Sequence, residues 1–196
     1  MSAALQRPAP PAPRVGADEF LSWPEDDGRT RYQLVDGTPV AMAPPSVRHA
    51  SIQGRLGGLL DQHLRERGGP CRVLVGVGVQ PRSDAAWNVR IPDIAVDCEP
   101  PRDDARLVHD PLLIVEILSP GNERLTRGNV WVYRDLPSVR EILLLYSWKI
   151  GGELLRRDAD GTWPADATGL GAESRLRLES IGLDVPLADA YATSGL

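Results

Sequence analysis

Two apolar stretches decide the fold, WNVRIPDIAVD (87–97) and PLLIVEILSP (111–120). Each is rich enough in aliphatic residues to form a buried strand, and each carries one carboxylate within its apolar run, Asp93 and Glu116. A buried, unpaired carboxylate costs several kcal/mol, so each must be neutral, paired or bound to a cation. For either residue alone, a salt bridge to one of the many arginines explains the pattern equally well.

The pair of carboxylates is more informative than either member. Asp93 and Glu116 lie on successive predicted strands, and the connection between them is long enough to return the chain alongside. Two carboxylates on neighbouring strands make half of a Mg²⁺ or Mn²⁺ site, which waters and a substrate phosphate complete. Such an ion polarises a phosphoryl oxygen and makes hydroxide available near neutral pH. The sequence therefore predicts a metal site suited to phosphodiester hydrolysis.

The elements around these stretches favour an α+β fold. RYQLVDGTPVAMAP (31–44) predicts a hairpin with its turn at Asp36-Gly37, and Ser46 predicts the N-cap of a helix over 47–66. The other predicted elements are strands at 71–80, 140–147 and 151–157 and a helix at about 122–135. Consecutive strands without intervening helices favour a mixed sheet over a doubly wound one.

Length and composition limit the class of protein. The 196 residues fit one domain, which we expect over 17–196, after a disordered Pro/Ala-rich tail over 1–16. No stretch approaches the roughly 18 apolar residues that a membrane span needs. Two cysteines cannot form a disulfide framework, so we expect a reducing cytoplasm.

Charge and lysine content narrow the possible sites. The net charge is −5, which argues against a generally basic face, so a site for a polyanion must be local or depend on a metal. Lys149 is the only lysine, and this excludes a P-loop.

Several motifs occur in an order typical of a known family. They are YQLVDG (32–37), APPSVRH (43–49), Pro92-Asp93, VEILSP (115–120) and YRDLPSVREILLL (133–145). This order resembles the Uma-two family of bacterial endonucleases, in the restriction-endonuclease-like or PD-(D/E)XK superfamily. The resemblance implies a mixed β-sheet flanked by helices with an N-terminal β-hairpin, a Mg²⁺ or Mn²⁺ cofactor, DNA as partner and a homodimer.

The resemblance also implies roles for particular residues. Asp93 and Glu116 match the metal ligands of the family, and the backbone carbonyl of Ile117 is a further candidate ligand. His49 matches a histidine typical of the family, which would contact phosphate or relay a proton, although packing at the helix entry explains it equally well. Gln33 stands where the family usually has glutamate.

The largest departure from the family is a missing lysine. Leu118 occupies the lysine position of the superfamily motif, and Asn129 occupies the helical position to which that lysine usually moves in this family. Leu125, Asn129, Val132 and Leu136 share a helical face, so we expect Asn129 to point towards the sheet. An asparagine can orient water or bind phosphate, but it cannot supply positive charge. Losing a charge-stabilising group commonly costs about 10²–10³ in rate.

The opposite face of that helix carries Arg124, Arg127, Trp131 and Arg134. These residues would bind DNA, with Trp131 stacking on a base, or they form a solvated helix face. The leading hypothesis is a metal-dependent endonuclease acting on DNA. Its alternatives are a catalytically inactive DNA-binding or regulatory domain, or an assembly domain, on the same fold.

Overall fold

The computed structural model describes residues 13–24, 31–100 and 106–196. Most of the predicted N-terminal tail, residues 1–12, lies outside these ranges. No helix in the described ranges is long and apolar enough to cross a bilayer.

The described chain contains three α-helices, twelve strands and two 3₁₀ turns. The helices are α1 (Ala17–Ser22), α2 (Val47–Arg67) and α3 (Glu123–Arg134). The first six strands are β1 (Arg31–Val35), β2 (Thr38–Met42), β3 (Arg72–Val75), β4 (Gly78–Val79), β5 (Ile94–Asp97) and β6 (Leu107–Val108). The others are β7 (Leu113–Leu118), β8 (Glu141–Tyr146), β9 (Gly152–Arg156), β10 (Thr168–Leu170), β11 (Arg175–Leu178) and β12 (Leu183–Pro186). The 3₁₀ turns are Ala85–Trp87 and Leu187–Tyr191.

A six-stranded mixed sheet forms the centre of the fold, in the order β10-β9-β8-β7-β5-β3. Only β7 and β8 pair in parallel, and α3 connects them, whereas every other neighbouring pair is antiparallel. All six residues of β7 are buried, as expected for a central strand covered on both faces. The α+β class with a mixed sheet is therefore confirmed.

Helices cover both faces of this sheet. Side chains of α2 join one core cluster with Val115 and Ile117 of β7, and side chains of α3 join the other with Ile114 and Leu118. Because side chains alternate along a strand, Glu116 lies on the same face as Ile114 and Leu118, beneath α3. This alternation aims the one charged group of β7 at α3.

The hairpin and α2 follow the sequence prediction closely. β1 and β2 pair across a two-residue turn in which Asp36 and Gly37 have φ of +49° and +79°. Positive φ at both positions is the geometry that favours Asp-Gly in tight hairpins. The Ser46 side chain caps α2 by accepting the His49 amide at 3.2 Å.

Two predicted strands are shorter than the sequence suggested. The chain bends at Gly76, whose φ is +67°, so the strand predicted over 71–80 splits into β3 and β4. β4 leaves the main sheet and pairs in parallel with β6. Only Ile94–Asp97 of the stretch 87–97 is a strand, since Trp87 ends a 3₁₀ turn and Val89 and Arg90 form isolated bridges outside the main sheet.

The two cysteines form a disulfide across adjacent strands. β3 and β5 are antiparallel with Arg72 opposite Asp97, so the flanking residues Cys71 and Cys98 also lie opposite each other. Their sulfur atoms are bonded. Two cysteines exclude a framework of several disulfides, but nothing in the sequence indicated this single bridge.

Candidate active site

Glu116 is the most enclosed acidic group of the site. The residue is 4% exposed and its side chain lies beneath α3. The hydroxyl of Tyr133 donates a hydrogen bond to its Oε1, and Nδ2 of Asn129 lies 3.5 Å from the same oxygen. Both donors come from α3, so the helix that follows β7 holds this carboxyl group in place.

Asp93 lies beside Glu116, although it precedes β5 and is not within it. The prediction that Asp93 sits inside a core strand is therefore wrong, because the strand begins at Ile94. The Ile117 amide donates to Asp93 Oδ2 at 2.7 Å, and Nε2 of Gln53 donates to the Asp93 carbonyl at 2.8 Å. Its side chain is 16% exposed, so the carboxylate is fixed yet open to the cleft.

Burial and charge together hold Glu116 in its neutral form at pH 7. The loss of hydration raises the pKa of Glu116 to about 8, and the negative charge of Asp93 contributes in the same direction. Burial likewise raises the pKa of Tyr133 well above its ordinary value, so its hydroxyl remains a donor.

His49 connects Asp93 to the end of β7. Its Nε2 lies 3.0 Å from Asp93 Oδ1, and its Nδ1 lies 3.2 Å from the Ser119 hydroxyl. The ring is buried in the first turn of α2, whose cap at Ser46 fixes the start of the helix. Contacts at both ring nitrogens therefore fix the orientation of the His49 ring, and its Nε2 in turn fixes Oδ1 of Asp93.

Gln33 and Asn129 are in contact with each other beside Glu116. Nδ2 of Asn129 lies 3.3 Å from Oε1 of Gln33, and both residues are buried. The structure therefore brings Asn129 inward, as the helical spacing predicted. Leu125, which was predicted to share that buried face, is exposed because the cleft opens beside the first turns of α3.

These groups line a cleft with a volume of about 1080 Å³. Among the side chains predicted to bind nucleic acid, Arg124 and Trp131 line this cleft and are exposed. A flat aromatic ring and a guanidinium at the rim could contact a base and a phosphate.

Arg127 and Arg134 lie away from the cleft. Arg127 donates to both carboxylate oxygens of Glu153, at 2.8 and 2.7 Å, and to Glu123 at 2.9 Å. The Glu153 hydrogen bonds raise the pKa of Arg127 above its ordinary value. The Arg134 guanidinium lies over the Trp163 ring at 5.9 Å. The four residues therefore do not form one continuous surface, and DNA contacts by these two arginines stay a prediction.

The structure adds four site residues that the sequence analysis did not assign, Gln53, Arg90, Ser119 and Tyr133. Ser119 and Tyr133 fall within the motifs VEILSP and YRDLPSVREILLL, which were the available signal. Arg90 lies in the same apolar stretch as Asp93, and a charged residue there was the available signal. Gln53 had none, because a glutamine on a helix looks like a surface residue.

The carboxylate pair fits a small, oxygen-preferring cation. In the described ranges, no three or more His, Cys, Asp or Glu residues converge on a common metal position. Mg²⁺, however, is commonly held by one or two carboxylates together with waters and substrate phosphates. A cation beside Asp93 and Glu116 would favour the ionised form of Glu116, so these two residues suit it.

The central sheet, the two covering helices and the carboxylate pair define a restriction-endonuclease-like fold. A sequence model of the Uma2 family, described as "Putative restriction endonuclease", matches residues 17–188. The chain therefore belongs to the Uma2 family, and the resemblance seen in the sequence motifs is confirmed. Restriction-endonuclease-like proteins generally use a divalent metal.

The chain is also similar to two further proteins. The "Uncharacterized protein slr1290" of Synechocystis sp. (strain ATCC 27184 / PCC 6803 / Kazusa) is 32% identical over 186 residues, covering 94% of this chain and 95% of the relative. A crystal structure of "a putative nuclease belonging to DUF820" from Anabaena variabilis ATCC 29413 matches with a TM-score of 0.71 and 16% identity. The match covers 91% of this chain and 98% of that one. At this identity the second match supports the fold alone.

Proposed function

We propose that this protein is a divalent-metal-dependent endonuclease that hydrolyses phosphodiester bonds in DNA. The observation that carries the proposal is the position of Asp93 and Glu116. The two carboxylates lie side by side at a cleft, and hydrogen bonds from β7, α2 and α3 fix their orientation. Membership of a family described as restriction endonucleases supports the same chemistry.

The reaction would be hydrolysis by water. The water oxygen forms a bond to phosphorus, the bond from phosphorus to one ester oxygen breaks, and that oxygen takes up a proton. The water loses a proton, which would leave the site through Asp93 and His49, whose Nε2 lies 3.0 Å from Asp93 Oδ1. Gln33 and Asn129 would orient the water or a phosphate oxygen.

A cofactor would be held at the acidic pair. Asp93, Glu116 and the carbonyl of Ile117 are the groups that would bind Mg²⁺ or Mn²⁺. When bound, the ion would polarise a phosphoryl oxygen and lower the pKa of water. It would also explain how a chain with a net charge of −5 can hold a polyanion, because the ion reverses the local charge.

Nicking of supercoiled plasmid DNA tests the proposal. The wild type is incubated with Mg²⁺ or Mn²⁺ beside the double variant Asp93→Asn/Glu116→Gln. We expect nicking that requires metal and is lost in the double variant. Calorimetric Mn²⁺ titration of the same pair of proteins should show a site in the wild type that the variant lacks.

Two variants serve as matched controls. Asp97→Asn changes a buried carboxylate of β5 that forms an ion pair with Arg72. Glu141→Gln changes a buried carboxylate of β8 that forms an ion pair with Arg156. Both should nick plasmid at the wild-type rate as long as they are folded. Nicking retained by the double variant would place catalysis elsewhere and contradict the proposal.

A second function is favoured by one specific observation. Asn129 lies within the site at the position where the family usually has lysine, so the positive charge of that lysine is missing. A DNA-binding or regulatory domain without turnover would keep the fold and lose the reaction. Metal-independent DNA binding whose affinity falls steeply with salt, together with no nicking under any metal, would favour this function.

Assembly and cellular location are further proposals. We propose a homodimer in the cytoplasm, as the sequence analysis expected. Light scattering coupled to size-exclusion chromatography measures the mass, and a monomeric mass at micromolar concentration would contradict the dimer. Disulfides are rare in a reducing cytoplasm, so alkylation of free thiols before lysis reports whether Cys71 and Cys98 are joined in the cell.

A further inference from the structure

Arg90 is a buried arginine that lines the same cleft as the carboxylate pair. It is 2% exposed, and it precedes Asp93 by three positions. Within the described residues, its side chain makes one hydrogen bond, from Nη1 to the backbone carbonyl of Leu34, and its Nε has no partner. No carboxylate oxygen of a described residue lies within 4.0 Å of its guanidinium. Arg90 is therefore a buried cation without an ion-pair partner in that part of the chain.

The backbone holds Arg90 rigidly in this position. Its amide donates to the Val79 carbonyl at 2.8 Å, and the Val79 amide donates to the Arg90 carbonyl at 2.7 Å. The preceding residue, Val89, exchanges a similar pair of bonds with Leu34 of the hairpin, at 2.8 and 3.0 Å. Both flanking contacts are regular bridges between strand-like segments. The backbone of Arg90 at the lining of the cleft is thus fixed by paired segments.

The surroundings of Arg90 suit an anion. A buried charge without a partner is costly, and an anion that enters the cleft would remove that cost. The centroid of the Trp131 ring lies 6.0 Å from the Arg90 Cζ atom, at the outer limit of a cation–π contact. The planar fork of arginine can donate two parallel hydrogen bonds to phosphate oxygens, which a lysine cannot do.

We propose that Arg90 donates hydrogen bonds to the non-bridging oxygens of the phosphate undergoing hydrolysis. It would supply from the loop before β5 the positive charge that Asn129 cannot supply from α3. This assignment rests on the nuclease function proposed above, and it makes Arg90 a catalytic residue.

Single-turnover cleavage of a DNA duplex with Mn²⁺ tests the assignment. The proteins compared are wild type, Arg90→Lys, Arg90→Ala and Arg157→Ala. Arg157 is the matched control, because it also donates to backbone carbonyls and also has an Nε without a partner among the described residues, but it lies outside the cleft. We expect the Arg90→Ala rate to fall by about 10²–10³ and the Arg90→Lys rate to fall less. Arg157→Ala should cleave at the wild-type rate.

Chemical rescue separates a role in the reaction from a role in folding. Millimolar guanidinium should restore at least part of the Arg90→Ala rate, whereas equal concentrations of urea or sodium chloride should not. Melting temperatures of all four proteins are measured with and without guanidinium, and the rescue should leave them unchanged. Wild-type cleavage by Arg90→Ala would overturn the assignment, as would a loss shared equally by Arg157→Ala without rescue.

A binding measurement keeps this assignment distinguishable from the nuclease proposal. A 5′-phosphorylated thymidine dinucleotide is added to ¹⁵N-arginine-labelled protein, and the Arg90 side-chain signal is identified by its absence in Arg90→Lys. If this signal shifts but the protein never cleaves DNA, Arg90 binds phosphate and the proposal of nuclease activity is wrong. If the wild type cleaves DNA without a shift of this signal and Arg90→Ala is fully active, the role of Arg90 is wrong and the proposal of nuclease activity stands.

Discussion

The buried carboxyl group of Glu116 makes the stability of the metal-free protein depend on pH. Burial raises its pKa from the ordinary value of 4.5 to about 8. Below pH 4.5 the folded and unfolded chains both carry the neutral acid. Between pH 4.5 and 8 the unfolded chain ionises while the folded chain keeps its proton. The stability contributed by this group is therefore full at acid pH and is lost as the pH rises through that window.

The magnitude follows from the size of the pKa difference. One pKa unit corresponds to about 1.4 kcal/mol, so the rise from 4.5 to about 8 amounts to roughly 5 kcal/mol in total. Urea unfolding in EDTA at several pH values should show the free energy of unfolding falling by about 1.4 kcal/mol per pH unit over this window. In Glu116→Gln the slope should largely disappear, because the amide does not titrate.

A matched variant checks that the slope belongs to Glu116. Glu141 is also buried, but it pairs with Arg156 at 2.8 Å and accepts bonds from Ser180, so Glu141→Gln should lower stability at every pH in the window. It should keep the wild-type slope. Parallel curves for wild type and Glu116→Gln would refute the reasoning. Adding Mn²⁺ should flatten the wild-type curve, because the ion favours the ionised carboxylate.

Three further predictions concern activity, binding and the disulfide. Asn129→Lys places an ammonium group near Glu116, and we expect plasmid nicking to rise by about 10²-fold. Trp131→Ala should weaken single-stranded DNA binding by about tenfold in fluorescence anisotropy, and an unchanged Kd would exclude stacking by this ring. The bond from Cys71 to Cys98 closes a loop of 27 positions, so Cys71→Ser should lower the urea-derived free energy of unfolding by about 3 kcal/mol. Dithiothreitol should produce the same loss in the wild type.

The sequence could predict those parts of the site that conflict with their surroundings. Asp93 and Glu116 were recognisable because a carboxylate within an apolar run demands a special explanation. Asn129 followed from the helical period, because α3 must bury one face on the sheet. Leu125 obeys the same period and is nevertheless exposed, because it lines the open cleft.

The features that escaped prediction depend on long-range register. Cys71 and Cys98 meet only because β3 and β5 pair with Arg72 opposite Asp97, and this pairing is not encoded in either segment alone. Arg127 does not contribute to the predicted DNA-binding face, because its guanidinium donates hydrogen bonds to Glu153, 26 positions later. Contacts at this distance along the chain become visible only in the folded protein.

The scattering of the site along the chain has a consequence during synthesis. Gln33 and Asn129, which lie 3.3 Å apart in the fold, are separated by 96 positions. β7, which carries Glu116, acquires its parallel neighbour β8 only after Tyr146 has left the ribosome. A growing chain that ends before Arg134 lacks part of the helix that orients the acidic pair, and one that ends before Tyr146 lacks part of the strand that pairs with β7. A cell that makes this protein is therefore exposed to an assembled site only after residue 146 has been synthesised.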